Sequence, residues 1–438
     1  YYCETIDKQS YQGYNYFHQG VNAGIRGEFS LNKFWSLLAS YYFDRYVKDY
    51  KYVDYDLPDK RKYENNNHNA KALLKFNKSY DRIEHSLQVG ACAEYEYLLS
   101  DQFEFDLKPL IEAELNRLGI TTSDYYYEIE GTPFKTHRQT TVNSFVSDVL
   151  NFKATNWSMA LGLGVTSHSK YDTQLSPNVG VKKVMEEKGN KTTFSLTYGK
   201  GVRNPNLKER YMDYDVGGLG MFRIIGNSEL TVEKSDNFSL SVNHDLLSKE
   251  RFKGFFMVNG FYHNKRNCIE GQFNVRKDTM KYINVGEVQL YGFDASAKFI
   301  FIDKWTIDLN YTFLKDSYSN VTFTTNRPHS GTAKFSYNSR VCDRYEFFVS
   351  LNGTIKGKNE SESVVYDSNS GEMTVDKTET YPAYSVWKLH SNHIIGKKRQ
   401  IELSFGLDNI LNYKPDRYDL VSCQSDGISV YGGVKFTF

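Results

Sequence analysis

The stretch "KWTIDLNYTFL", residues 304–314, sets Trp305, Ile307, Leu309, Tyr311 and Phe313 against Thr306, Asp308, Asn310 and Thr312. An extended chain turns successive side chains to opposite sides, so this alternation reads as a strand with one apolar and one polar face. The same period returns in "NWSMALGLGVTSH" (156–168) and "RQIELSFGLDN" (399–409). It returns again at "YGGVKFTF" (431–438), where Val430, Gly432, Val434, Phe436 and Phe438 oppose Ser429, Tyr431, Gly433, Lys435 and Thr437. Alternation alone fits a soluble sandwich as well as a barrel in lipid, because both carry one polar face.

Three features decide between them. The strands run to about 10–18 residues, and roughly 9–11 residues cross a bilayer at a tilt. Connections alternate between very short ones (Asn32-Lys33, Thr155-Asn156, Asp303-Lys304) and long polar ones. Finally, Trp35, Trp157 and Trp305, three of the four tryptophans, each follow a short turn. That is where an aromatic girdle meets one membrane surface. The expected fold is therefore all-β, a transmembrane antiparallel β-barrel.

Composition agrees. Among the 438 residues, 35 Tyr and 29 Phe favour strands and half-wet positions. With 54 basic and 53 acidic residues the net charge is +1, which gives no footprint for nucleic acid. No run approaches 18 apolar residues, so no transmembrane helix is expected. The cysteines (Cys3, Cys92, Cys268, Cys342, Cys423) are scattered without a CxxC pair, which argues against a zinc site and a disulfide framework. A single disulfide between outer loops stays open. About 17 strands can be counted, from 14–30 to 427–438. Bacterial single-chain barrels have an even number, so the count implies a miscount or strands missing from the start. Residues 53–67 read as a charged loop, and "FDLKPLIEAELNRLG" (105–119) as one short amphipathic helix capped by Gly119. Other long loops fall at 206–233, 319–326, 359–378 and 411–426.

From residue 200 the chain reads "KGVRNPNLKERYMDYDVGGLGMFRIIGNSELTVEKSDNFSLSVNH". Arg203, Pro205, Leu207, Glu209 and Tyr211, then Gly226, Asn227, Leu230, Glu233, Ser235 and Asn237, match two motifs of one family in order. "NVGEVQLYGFDASAKF" (284–299) and "LDNILNYKP" (407–415) supply two more. The final strand, with Gly433, Phe436 and Phe438, looks like the signal read by the barrel-assembly machinery. On these residues the chain resembles the TonB-dependent outer-membrane receptors. Val202, Asn204, Ser228 and Val232 depart from the usual wording.

The resemblance implies a barrel of the 22-strand type, an N-terminal plug domain and a TonB-contacting segment. Residues 1–438 would be the C-terminal portion of that barrel, with the plug and the first strands lying outside this sequence. It also implies TonB-driven import of a large scarce nutrient across the outer membrane of a Gram-negative bacterium: cobalamin, haem or a ferric siderophore. Partners would be the TonB complex, outer-membrane lipids, the barrel-assembly machinery and a surface lipoprotein that captures cargo. The wording of 211–227 is similar to a Bacteroidota-like subgroup.

Haem receptors of the family carry a histidine between the two motifs, but residues 206–227 have none. Tyr211, Tyr214, Met221, Phe222 and Arg223 stand there instead as candidate ligand contacts, and tyrosine can ligate haem iron. Ordinary loop packing is the competing account of the two tyrosines. Arg203 reads as a conformational anchor. No built-in cofactor or metal site is expected: Asp54, Asp56, Asp59, Asp213 and Asp215 lack the EF-hand Gly and Glu, and His390 and His393 point to opposite faces of a strand. No catalytic motif is found. A TonB-independent porin or adhesin, or a hydrolase built on a barrel, are the alternatives.

Overall fold

The structure, a computed structural model, describes residues 2–11, 14–52, 60–100, 135–216, 222–248, 251–274, 278–318, 327–366, 373–415, 425 and 427–437. Its first strands are β1 (Tyr2–Tyr11), β2 (Tyr14–Ser30), β3 (Trp35–Tyr52), β4 (Lys60–Ser79), β5 (Ile83–Ser100), β6 (Lys135–Phe152), β7 (Trp157–His168), β8 (Gln174–Glu187) and β9 (Asn190–Arg203). A one-turn helix α1 (Leu207–Tyr211) and a small hairpin, β10 (Asp213–Val216) and β11 (Phe222–Ile225), follow. The wall resumes with β12 (Glu233–Ser248), β13 (Phe252–Asn274), β14 (Thr279–Phe301), β15 (Trp305–Tyr318), β16 (His329–Cys342) and β17 (Tyr345–Lys356). A second hairpin, β18 (Asn359–Tyr366) and β19 (Met373–Tyr381), precedes β20 (Tyr384–Ile395), β21 (Ile401–Asp408) and β22 (Ser429–Phe436).

All 22 strands belong to one sheet. Sequential strands pair antiparallel, except that β9 pairs β12 and β17 pairs β20. The two skipped hairpins therefore stand off the wall, and the other eighteen strands form it. That is one more than the sequence count, because "YCETIDKQSY" pairs with β2 along its whole length although its alternation is weak.

The short turns work as the sequence implies. Asn32 Oδ1 accepts the backbone N–H groups of Phe34 (2.9 Å) and Trp35 (3.0 Å), a side-chain mimic of a turn. Asn156, Ile302 and Asp303 take positive φ (52°, 51° and 52°), the left-handed backbone that two-residue hairpins need. Just beyond these turns lies a belt of rings. Register sets Phe252, Phe301, Trp305 and Tyr337 in one row across four strands. Phe252 and Phe301 centroids are 5.0 Å apart, and Trp305 and Tyr337 4.3 Å. Trp35 packs on Phe76 at 4.7 Å, and Lys183 Nζ caps the Trp157 ring at 5.2 Å.

The apolar alternation faces outward. Leu240 is 56% exposed, Val258 50% and Trp305 54%, whereas the opposite face carries Ser241, Asn259 and Thr306. A soluble sandwich would bury that apolar face, and here it is the outer surface. Buried apolar residues concentrate instead near the long-loop ends: Leu98, Leu207, Leu230, Val232, Ile269, Val285 and Val288.

Several expectations are corrected or fall elsewhere. Residues 60–67 of the supposed charged loop are strand, in register with Asn66↔Arg45 and Glu64↔Val47. Glu64 meets Arg45 at 3.0 Å, so the charges that read as loop belong to a paired wall standing above the lipid. The loops at 206–233 and 359–378 contain the two hairpins and α1. The helix expected at 105–119, the aspartates at 54, 56 and 59, Met221 and Phe438 lie outside the described residues. Gly433 and Phe436 sit on β22 and pair with Ser404 and Ile401.

Candidate functional site

The two motifs around residue 200 close into one polar knot at the long-loop end of the wall. It starts at α1, whose N-terminus Asn206 caps: Asn206 Oδ1 accepts Glu209 N–H at 2.8 Å, and Glu209 Oε2 accepts Asn206 N–H at 2.9 Å. This reciprocal capping box satisfies two N–H groups that a helix start leaves unpaired. Arg203 then ties the helix to the next strand. Its Nη1 donates to both oxygens of Glu209 (2.9 and 3.0 Å), while Nε and Nη2 donate to the two oxygens of Glu233 (2.5 and 2.8 Å). A planar guanidinium matches a carboxylate two bonds at a time, which fixes direction as well as distance.

Glu233 also accepts the Ile269 N–H at 2.6 Å, bringing β13 into the knot. The strand-side motif completes it. Gly226 N–H donates to Met212 O at 2.5 Å and Asn227 N–H to Glu209 O at 2.9 Å. A Cβ on Gly226 would lie 2.6 Å from the backbone of Arg210 and of Tyr211, so only glycine lets these two segments touch. Pro205, Leu207, Leu230 and Val232 are buried beneath. Asn284, the first residue of the third motif, gives Nδ2 to the carbonyls of Thr231 (3.1 Å) and Asn267 (2.8 Å) and accepts Thr231 N–H at 2.8 Å. The fourth motif works alone: Asn409 donates to Tyr413 O (2.7 Å) and Ser425 Oγ (2.9 Å), shaping the chain after β21.

Helix α1 faces inward. Leu207, fully buried, packs with Leu98 and against Tyr63 and Tyr211. By alternation Leu98, Tyr63 and His137 lie on the face opposite the outward Val89 and Val142, which makes it the luminal one. The Tyr211 ring stacks on His137 (centroids 3.7 Å apart, planes 6° apart), and Arg210 hydrogen-bonds the Tyr211 hydroxyl. Arg210 is buried, 4% exposed, and its guanidinium sits over Tyr211 at 4.6 Å and Tyr171 at 5.6 Å. Tyr171, in the connection between β7 and β8, has its phenol pKa raised chiefly by burial, against the opposing pull of the Arg210 charge.

The sequence candidates divide accordingly. Arg203 anchors the knot, and Tyr211 is part of its packing. Tyr214 and Phe222 lie on the hairpin, where the register Tyr214↔Ile224 and Val216↔Phe222 sets them on one face. Arg223 falls on the other face and pairs with Asp213 through two bonds of 2.5 Å. Strand β11 also pairs in parallel with β14 (Arg223↔Thr279), which roots the hairpin on the wall. Reasoning from sequence missed Asn206, Arg210 and His137, and read Asn284 only as the start of a motif. The N-x-x-E spacing of Asn206 and Glu209 is a capping signal that could have been read. Nothing local in the sequence links His137 to Tyr211 or Asn284 to Thr231.

Comparison with known proteins places this geometry. The family model described as "TonB dependent receptor-like, beta-barrel" matches residues 4–410. The chain belongs to that family of receptor barrels in the outer membrane of Gram-negative bacteria, and lipid covers its apolar outer face. It is similar to the siderophore receptor PirA from Acinetobacter baumannii, with a TM-score of 0.69 and 15% identity over 98% of this chain and 63% of that one. It is similar to a variant of the ferric enterobactin receptor PfeA from Pseudomonas aeruginosa (0.68, 13%, 97% and 62%). It is also similar to the FrpB iron transporter from Neisseria meningitidis (0.63, 14%, 97% and 63%). At such identities the likeness is one of fold, and the chain spans less than two thirds of the length of these structures. Among curated protein sequences, none is similar enough to count as a relative.

Proposed function

We propose that the complete receptor imports a ferric siderophore across the outer membrane, driven by TonB. The observation that carries this reading is the knot itself. It consumes Arg203, Glu209, Glu233 and Tyr211 in fixing the base of hairpin β10–β11, so the motif is scaffold and the hairpin is the part presented to cargo. Tyr214 and Phe222, on hairpin positions of one parity, are of the aromatic type that suits a large flat chelate, while Arg223 is held by Asp213. The siderophore, enterobactin and iron names of the similar structures support iron chelates over cobalamin or haem.

The test is a fluorescence and visible-absorbance titration of the complete, plug-containing receptor in detergent with a ferric catecholate, a ferric hydroxamate, haemin and cobalamin. Saturable binding of a ferric siderophore is expected, weakened about tenfold or more in a Tyr214→Ala, Phe222→Ala variant, as for aromatic anchors at other interfaces. Binding of haemin or cobalamin alone would overturn the cargo. Uptake that persists without TonB would overturn energised import.

A further inference from the structure

We propose that hairpins β10–β11 and β18–β19 form one conformational unit with the crest of β13–β14, so that opening one hairpin at the mouth of the barrel loosens the other. The two hairpins lie far apart in the chain, one between β9 and β12 and the other between β17 and β20. Register brings them to the two flanks of the same pair of strands. Strand β11 runs parallel to β14 through Arg223↔Thr279, Ile224↔Met280 and Ile225↔Lys281. Strand β18 runs parallel to β13 through Phe273↔Val365 and Asn274↔Tyr366. The order at the mouth is therefore β10-β11-β14-β13-β18-β19, a mixed sheet of six strands. One row of the register crosses all of it: Tyr214, Ile224, Met280, Phe273, Val365 and Thr374.

Neither hairpin holds its place alone. Strands β10 and β11 are four residues each, and an isolated two-stranded ribbon is marginal in water until a third strand joins it. Strands β18 and β19 are longer, but their ladder shifts between Ser363 and Val364. Only three pairs continue beyond the shift, from Val364↔Val375 to Tyr366↔Met373, and that upper piece is the part that reaches β13. Both hairpins thus take a third strand for a short ladder from β13–β14. The crest itself is closed: Asn274 Oδ1 accepts the Asp278 and Thr279 N–H groups (3.1 and 3.3 Å). Asp278 O accepts the Arg223 N–H at 2.8 Å, which ties β11 to the same turn. Cys268, Val285 and Val288 are buried together at its root.

The feet are pinned as well. The knot around Arg203 holds β10–β11, and Arg327 does the same for β18–β19. Its Nη1 donates to Gly357 O (2.5 Å) and Pro382 O (2.7 Å), one carbonyl on each leg of the hairpin. Its guanidinium lies 4.8 Å over the Tyr384 ring, which stacks on Tyr413 at 4.6 Å. A hairpin fixed at its foot can still swing as a flap, but only by breaking the pairs at its upper end. Those pairs are made with the two flanks of one crest, so the opening free energy of each hairpin depends on the other. This coupling rests on backbone pairing and is independent of the cargo the receptor carries.

Hydrogen exchange read by mass spectrometry on the complete receptor tests the unit in both directions. Deleting 214–224 and joining Asp213 to Ile225, a register pair, through Asn-Gly shortens the first hairpin and leaves the knot in place. Deleting 364–376 and joining Ser363 to Lys377 in the same way removes the pairs to β13 and keeps the lower ladder. In the first variant, protection of 364–366 and 373–375 should fall about fivefold or more, the lower end of the usual coupling between sites. In the second, protection of 222–225 should fall by the same factor, because linkage is reciprocal. Strands β5–β7 should not change in either, and heat-modifiable migration verifies barrel folding. A Phe273→Cys, Val365→Cys variant decides the matter if a shortened chain fails to fold. Oxidised, it locks β18 to β13, and protection of 222–225 should rise over that of the same protein reduced. Wild-type protection of either hairpin when the other is shortened, or no change at 222–225 on oxidation, would overturn the unit. So would an equal loss across β5–β7, which would make the effect one of general stability.

Discussion

Replacing Glu233 by glutamine keeps the shape of the knot and removes its charge. Glu233 holds Arg203 through two bonds of 2.5 and 2.8 Å and the Ile269 N–H through one of 2.6 Å. Glutamine can still accept from Ile269, but its amide end must then meet a guanidinium that cannot accept. Bonds to charged groups contribute about 1.5–3 kcal/mol, and because the Arg203 side chain is 43% exposed we take the lower end, about 1.5 kcal/mol. The loss should act locally, raising the opening equilibrium of the knot roughly tenfold while the long wall strands hold. Hydrogen exchange read by mass spectrometry on the complete receptor measures this directly. Protection of 203–212, 226–233 and 267–271 should fall about tenfold, with β15–β17 unchanged. Unchanged protection at 226–233 would refute the role of Glu233 as hub, and an equal loss in β15–β17 would show a general rather than local effect.

Four further outcomes are expected. Gly226→Ala should open the same segments at a cost of about 1–3 kcal/mol, because the new methyl lies 2.6 Å from backbone that has no room to give; the same exchange measurement checks it. Leu207→Ala, at a fully buried site, should cost about 2–5 kcal/mol of local stability and expose α1 to limited proteolysis. On β12, Leu240→Arg should destabilise the barrel in lipid by about 2–4 kcal/mol in urea unfolding, whereas the luminal neighbour Ser241→Arg should change it little. Cys342 is exposed beside a short turn and Cys268 is buried. An impermeant maleimide should therefore label Cys342 only after the outer membrane is opened and leave Cys268 unmodified throughout; labelling of Cys342 on intact cells would invert the assigned orientation.

The wall was legible in the sequence because lipid imposes a strict rule on it. Leu, Val and aromatic side chains must appear at every second position, so β7, β15 and β21 could be drawn residue by residue. Above the lipid that rule lapses. In "KRKYENNN" both faces carry polar residues, and "NESESVVY" and "MTVDKTETY" hold no sustained apolar alternation, so strand read as loop. The knot was legible only as a word order. Arg203, Glu209 and Glu233 were flagged as motif members, but that one guanidinium bridges both carboxylates is a fact of three dimensions. Tyr211 had two readings from its residue type, cargo contact and loop packing, and its ring lies flat on His137, a neighbour the sequence does not reveal.

The length of β13 and β14 has a further consequence. Each runs 23 residues, whereas roughly ten suffice to cross the hydrocarbon at the usual tilt. The remainder rises as paired sheet by about 30 Å, taking some 3.4 Å per residue and a tilt near 40°. At β13 and β14 the mouth of the receptor therefore rises as stiff paired sheet. Molecules too broad to descend between neighbouring sugar chains on the cell surface can reach its rim from above, so the same rigidity that presents a foothold to scarce cargo presents one to antibodies and bacteriophage.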